Sequence, residues 1–230
     1  MRSRFLFVLG LPALLAITPV PGHASSPIWI QGVVGGASYK MGDVNANVAE
    51  INRQITPMGY VLDQLTDGVT YGGAIGFDIG HGFALGLAYD RLEGRTEFGD
   101  SFAALSFDLP ADVYRVFGRY TIGSALTTQE FVEASAGRIS PAGSLSYRET
   151  GQVPFRGDLG SSGLALEGSG GVQRWFAPWL AVNGAIGYRY AVVEHTLVGL
   201  ASLQDVTGGE YQLDYSGFFF RGGLTVVVSH

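Results

Sequence analysis

The sequence predicts an all-β protein, an eight-stranded antiparallel transmembrane β-barrel with a short helical segment in its first extracellular loop. Three observations lead to this prediction. Large apolar residues alternate with small or polar ones, as in the stretch VTYGGAIGFDIGHGFALGLAYD that runs from Val69 to Asp90. Charged residues make up only 15% of the chain, against about 25% in an ordinary soluble domain. Finally, short and long connections alternate along the chain.

Eight segments follow the two-residue period of a β-strand. Their predicted bounds, in chain order, are Ile28–Tyr39, Val69–Ile79, Phe83–Leu92, Val113–Ile122, Phe131–Arg138, Gly163–Gln173, Leu180–Val193 and Tyr211–Val228. The second segment sets Tyr71, Ile75 and Phe77 against Ala74 and Asp78. The third, fourth, seventh and eighth repeat this pattern, whereas the first and fifth are less regular and their facing is left open.

The composition of the two faces distinguishes a membrane barrel from a soluble sheet. A soluble antiparallel sheet has one wet, polar face. In this chain the second face is mostly glycine and alanine with isolated Asp, Glu or Arg, which is the composition of a narrow barrel lumen. The large residues are therefore expected to face lipid.

The connection lengths support the same architecture. The linkers after the second, fourth and sixth strands are short: Gly80–Gly82, Gly123–Gln129 and Arg174–Trp179. Those after the first, third, fifth and seventh are longer: Lys40–Gly68, Glu93–Asp112, Ile139–Ser162 and Glu194–Glu210. Short periplasmic turns and long extracellular loops are typical of outer-membrane barrels.

The N-terminus has the pattern of a secretion signal. Arg2 and Arg4 precede the uncharged stretch Phe5–Ile17, and small residues at Gly22 and Ala24 suit a signal peptidase. The stretch is shorter than the ~20 apolar residues that a spanning helix needs. We therefore expect residues 1–24 to be a cleaved signal peptide and residues 25–230 to be the barrel, with an uncleaved anchor as the alternative.

The signal, the eight alternating segments and the last strand, LDYSGFFFRGGLTVVV, resemble the small OmpA/OmpX-type and opacity-type outer-membrane barrels. The resemblance covers nearly the whole chain after the signal and is one of architecture, without a catalytic motif. It implies a protein of the outer membrane of a Gram-negative-type bacterium. Its expected partners are outer-membrane lipid and lipopolysaccharide, with an extracellular ligand at the loops as a further option.

Ionisable residues on the small-residue face are the first candidate site. A barrel of eight strands leaves room only for side chains, and ions buried there must be paired or cost several kcal/mol each. Equal numbers of acids and bases predict a lumen ion network that acts as a plug, while a selective pore or a catalytic acid or base remain alternatives. The predicted network is Asp78, Asp90, Arg115, Arg119, Glu133, Glu167, Arg189 and Arg221.

The first long linker predicts an amphipathic helix. Asp43 is the expected N-cap, and helical spacing is kept by Val44, Val48, Ile51 and Ile55. The stretch Pro57-Met58-Gly59 should end the helix, and a second short turn is expected near Val61, Leu62 and Leu65. The apolar stripe is expected to pack against the barrel rim. A lid over an apolar ligand and a partner-binding surface are the alternatives.

Composition argues against several classes of function. A net charge of −6 with a single lysine, Lys40, argues against nucleic-acid binding. With no cysteine and little histidine, we predict neither a metal site nor a cofactor. His195 beside Glu194 resembles part of a lipid A-modifying enzyme site, but the neighbouring serine that such enzymes use as nucleophile is missing. We therefore predict no catalytic residues and no enzyme.

The sequence thus predicts an outer-membrane barrel with a filled, salt-bridged lumen that acts as a structural or surface-interaction protein displaying extracellular loops. A passive pore or small-molecule uptake channel is the alternative. A lipid A-modifying enzyme is the third hypothesis.

Overall fold

Eight antiparallel strands form a closed barrel, which confirms the predicted fold class. The computed structural model describes residues 28–99, 103–122, 128–149, 155–194, 197–198, 201–202 and 211–228. The barrel strands are β1 (Ile28–Ser38), β2 (Asp67–Gly80), β3 (Phe83–Leu92), β4 (Ala111–Ile122), β5 (Thr128–Pro141), β6 (Gly163–Ala177), β7 (Leu180–Val193) and β8 (Gly217–Val228). Each pairs with its sequence neighbours, and β8 pairs with β1 to close the sheet.

The outward face of the barrel is an apolar belt. Its most exposed large side chains are Phe218 (73%), Ile186 (71%) and Val116 (61%). Inward positions alternate with these, and they carry glycine, alanine, the buried polar groups and some large buried side chains such as Trp29 and Phe131. The two strands whose facing the sequence left open follow the same rule, with Gln31 of β1 and Glu133 of β5 buried inside.

A tight turn joins β2 to β3. Gly80, His81 and Gly82 all have positive φ, at 94°, 55° and 80°. This conformation suits glycine and is uncommon for other residues, so the glycines on both sides of His81 permit the reversal. This end of the barrel is called the turn end, and the opposite end, with the longer connections, is called the loop end.

A second sheet rises above the loop end. Its six strands are Arg95–Gly99, Ala103–Asp108, Ser144–Glu149, Phe155–Gly160, Leu197–Val198 and Ala201–Ser202. The segments predicted as linkers after the third, fifth and seventh strands therefore contain further β structure. The predicted eighth strand, Tyr211–Val228, is also divided, because Leu213–Asp214 pairs separately with β7 before β8 begins.

The first linker contains a helix, α1 (Gly42–Ile55), followed by a 3₁₀ turn at Thr56–Met58. Asp43 does not cap α1 as predicted; its carboxylate instead accepts the backbone N–H of Gln212 at 2.8 Å. The expected second turn is also wrong, because residues 60–66 carry no helix. None of the helices in the described ranges is long and apolar enough to cross a bilayer.

Candidate functional site: the lumen and its cap

At the turn end, aromatic rings surround one guanidinium. The Arg119 guanidinium lies 4.6 Å from the ring centroid of Trp29 and 4.4 Å from that of Phe131. It donates to Glu133 Oε2 from Nε and Nη2, at 2.9 and 2.7 Å, and from Nη2 to Gln31 Oε1 at 2.9 Å. Desolvated cation–π contacts contribute about 2 kcal/mol. The rings and the carboxylate together offset the cost of burying this cation.

Glu167 is the centre of the ion layer in the middle of the lumen. Its Oε1 accepts Arg115 Nη1 at 2.7 Å and lies 2.8 Å from Arg221 Nη2. Its Oε2 accepts Nε and Nη2 of Arg189 at 3.1 and 3.0 Å. Glu167 and Arg189 face each other directly across β6 and β7, so the strand register itself creates this pair.

Asp90 and Glu133 complete the ion layer. Asp90 is paired with Arg115 and lies 3.6 Å from Arg189 and 3.7 Å from Arg221. Arg221 also donates to Glu133 Oε1 at 3.1 Å. Glu133 therefore links the ions around Glu167 to Arg119 at the turn end. Seven of the eight residues of the predicted network are therefore brought together, and all seven are at least nine-tenths buried.

Asp78 departs from the predicted network. It is exposed at the turn end of β2, where its carboxylate accepts a hydrogen bond from Trp29. It also interacts electrostatically with Arg119 at longer range. It makes no direct ion pair within the described part of the chain. Among the described residues, the buried layer consequently holds four guanidinium groups and three carboxylates, so the expected equality of acids and bases is wrong.

Neutral polar side chains complete the lumen, and they were not predicted from the sequence. Gln31 donates to Asn183 Oδ1 at 2.9 Å, and Asn183 donates to Thr225 Oγ1 at 2.9 Å. Ser135 accepts from Arg115 Nη1 at 2.9 Å. The strict alternation would have placed Gln31 inside, on the face that β1 shares with Trp29. The chain of partners, however, crosses strands that are distant in sequence.

An apolar cap closes the loop end. Val44 and Val48 of α1 are fully buried, and Ile51 and Ile55 pack partly buried against the same cluster. Seven of the eight barrel strands contribute inward residues to this cluster: Ala37, Leu92, Val113, Ile139, Ala165, Val193 and Phe219. The helical stripe thus packs on the rim of the barrel. We call α1, residues 60–66 and this cluster the cap.

Two asparagines fasten residues 60–66 to α1. The Asn45 amide donates to the Leu65 carbonyl at 3.0 Å and accepts the Leu65 N–H at 2.8 Å. The Asn52 amide makes the same pair of bonds with Leu62, at 2.9 and 2.7 Å. These side chains satisfy backbone groups of a segment without secondary structure of its own, so Leu62 and Leu65 can be buried.

Three tyrosines are buried within the cap. Tyr215 donates to the Leu109 carbonyl at 3.1 Å, Tyr39 donates to the Glu93 carbonyl at 3.3 Å, and their ring centroids lie 5.7 Å apart. Desolvation raises the pKa of Tyr39 and of Tyr215, and it raises the pKa of Tyr211 to about 12. These phenols therefore remain neutral at physiological pH.

Space inside the ion layer is small. A cavity of about 10 Å³ lies between Arg115, Arg119 and Arg221, which is room for roughly one water molecule. Across the described ranges, no group of three or more His, Asp or Glu side chains is placed to hold a metal ion. His195, the candidate for lipid A chemistry, lies outside the described residues.

The fold is similar to that of solved outer-membrane barrels. The structure matches Neisserial surface protein A with a TM-score of 0.53 and 12% identity, over 87% of this chain and 97% of that one. It matches OprG from Pseudomonas aeruginosa with a TM-score of 0.52 and 10% identity, over 91% and 99% of the two chains. No protein-family model matches the chain, and no curated protein sequence matches it.

These comparisons confirm the small outer-membrane-type barrel that the sequence pattern resembles. At such low identity the likeness concerns the fold. The function therefore depends on the residues of the lumen, the cap and the loops.

Proposed function

We propose that this protein is an integral outer-membrane barrel whose sealed lumen makes it a rigid scaffold for an extracellular sheet, and that it is not an enzyme. The observation that carries the proposal is the double closure of the lumen. The ion layer fills the middle, and the apolar cap covers the loop end.

The belt supports the location in the membrane. Large apolar side chains such as Ile186 and Phe218 are more than two-thirds exposed, and a soluble protein rarely exposes a continuous apolar surface of this extent. The barrel strands have 10 to 15 residues, enough for the 9–11 tilted residues that cross a bilayer. We infer that lipid and lipopolysaccharide cover the belt, and that residues 1–24 are the export signal removed on the way.

The closure supports a scaffold rather than a channel. Ions could cross the middle layer only by separating Glu167 from its three arginines, which leaves buried charges unpaired. Breaking such a pair costs about 3–5 kcal/mol. A permeating ion would also have to pass the fully buried Val44 and Val48 of the cap. Both barriers act in series, so the passive pore is the weaker alternative.

The second sheet supports a role at the cell surface. It extends the walls of the barrel beyond the belt and carries exposed polar side chains, such as the Arg95–Glu97 pair. Function in these barrels resides in the surface that the loops present. A ligand of the protein would therefore bind at this sheet, and the barrel would hold the sheet in position.

Site-directed labelling tests the proposed placement, because the chain has no cysteine of its own. Two single-cysteine variants are matched in exposure: Val61→Cys at the cap, where Val61 is 62% exposed, and Trp179→Cys in a short turn, where Trp179 is 55% exposed. In intact cells, a membrane-impermeant maleimide that is too large to pass through porins should label only the first variant. After lysis it should label both. Equal labelling of both in intact cells, or of Trp179→Cys alone, would contradict the proposal.

The lipid A hypothesis has a separate test. His195→Ala and wild-type protein are expressed in turn, and the lipid A mass of the cells is compared with that of cells carrying an empty vector. We expect the same masses in all three. If the wild-type protein changes the lipid A mass relative to the empty vector and His195→Ala does not, the protein is a lipid A-modifying enzyme.

A further inference from the structure

The buried layer of the lumen carries an excess of positive charge. Its described members are three carboxylates and four guanidinium groups, all between 2% and 8% exposed: Asp90, Glu133, Glu167, Arg115, Arg119, Arg189 and Arg221. The carboxylate of Asp78 stands in solvent at the turn end and does not pair with the middle arginines. Guanidinium groups do not lose their proton in proteins, so the surplus cannot be removed by titration.

Unused hydrogen-bond donors coincide with this surplus. Arg115 Nε and Arg189 Nη1 are buried and have no acceptor among the described residues, and Ser169 Oγ also lacks a partner there. Arg115 and Arg189 share the same two carboxylates, Asp90 and Glu167. The two guanidinium groups with unused N–H donors are therefore the two that share these carboxylates. A buried donor without an acceptor is costly and calls for an explanation.

A cavity borders Arg115, whose Nε is one of these donors. It is lined by Arg115, Arg119 and Arg221 on its basic side, by Asp90 and Glu133, and by the small residues Gly73, Ala74 and Ala88. Its volume of about 10 Å³ admits roughly one water-sized atom. An oxyanion such as phosphate or sulfate is too large for this space.

We propose that the lumen binds a single small inorganic anion, chloride among the abundant ones, in the cavity beside Arg115. A halide has the size of the cavity, accepts N–H donors from any direction, and supplies the missing negative charge. The three arginines that line the cavity outnumber its two carboxylates, so the local balance favours an anion over a cation. The site concerns the interior of the barrel and does not depend on what the loops bind.

Stability in different salts tests the proposal. Refolded protein is heated in sodium chloride or sodium gluconate at equal ionic strength, and the heat-dependent gel shift reports the folded fraction. We expect chloride to stabilise the barrel saturably, because a ligand at 100 times its Kd raises the folding equilibrium constant about 100-fold. Bromide should replace chloride, and gluconate should not. Equal stability in all three salts would overturn the proposal, since neutral water then fills the cavity.

A charge-balancing variant makes the test specific. Gln31 lines the cavity and accepts a hydrogen bond from Arg119, so Gln31→Glu supplies a fourth carboxylate with little change in shape. We expect this variant to lose the chloride response. The matched control is Gln129→Glu, which adds the same charge beside Trp175 at the turn end and should keep the response. A full response in Gln31→Glu would overturn the proposal.

A crystallographic measurement decides the case if Gln31→Glu does not fold. Wild-type crystals grown in bromide should show one anomalous peak within hydrogen-bonding distance of Arg115. Ordered density in the ion layer without an anomalous peak would refute the anion site. Neither outcome depends on conductance or on surface labelling, so failure of the anion site and failure of the scaffold proposal are distinguishable.

Discussion

The cap should open far more readily when its buried valines are shortened. Val44 and Val48 are both 0% exposed, and the double substitution Val44→Ala/Val48→Ala removes two methyl groups at each site. At about 0.8 kcal/mol per buried methylene-sized group, the loss is about 3 kcal/mol, before any cavity term is added. Since 1.4 kcal/mol is about tenfold, the open state of the cap should become roughly 150-fold more populated.

Amide hydrogen exchange measures this opening directly. The Leu62 and Leu65 N–H groups bond to Asn52 and Asn45 only while the cap is closed, so their exchange should accelerate by about the same factor of ~150. Amides in the belt strands should be unchanged. The control is Val61→Ala, because Val61 is 62% exposed and should change stability by no more than ~0.5 kcal/mol. Unchanged exchange in the double variant would refute the buried cap.

Three further predictions test other parts of the structure. Glu167→Gln removes the carboxylate that three buried arginines share and should lower the free energy of unfolding, measured in urea, by about 3–5 kcal/mol. The control Glu97→Gln, at an exposed ion pair, should change that free energy by less than ~1 kcal/mol. Gly137→Ala would drive its Cβ into a backbone carbonyl oxygen of β4 and should abolish the folded band on gels, whereas Gly168→Ala points into open space and should fold normally. The pKa of Tyr211 is raised to about 12, so the folded cap holds this proton more tightly than the unfolded chain, whose phenol titrates near 10. The stability of the cap should therefore be constant up to about pH 10 and fall between about pH 10 and 12. Tyrosinate absorbance and the hydrogen exchange of the Leu65 amide should both report this fall. Loss of stability below pH 9, normal folding of Gly137→Ala, or equal effects of the two glutamate variants would contradict these expectations.

The belt and the facing of the side chains on most strands were predictable from the sequence. In a barrel, a shift of one residue along a strand moves every side chain to the other surface. Each strand therefore needs a two-residue period of large and small side chains. The third and seventh strands match their predicted bounds, Phe83–Leu92 and Leu180–Val193. The same rule placed Arg115, Arg189 and the six other ionisable residues of the predicted network on the inner face.

The ends of the strands and the partners of the ions were less predictable. Asp78 lies on the inner face, but the sequence does not reveal that its position is at the turn end, where the side chain is exposed and accepts a hydrogen bond from Trp29. The second sheet consists of strands of two to six residues, too short for a clear period. Asp43 has the chemistry of a helix cap, yet it bonds to Gln212, a residue 169 positions away. Contacts of that range arise only when the barrel closes.

Single-channel recording tests the sealed lumen most directly. Refolded protein that shows the heat-dependent gel shift of a closed barrel is inserted into a planar bilayer, and the current is recorded under an applied voltage. The ion layer around Glu167 and the buried valines of α1 predict a silent bilayer. Steady, reproducible current steps from the folded protein would contradict the scaffold and establish a pore.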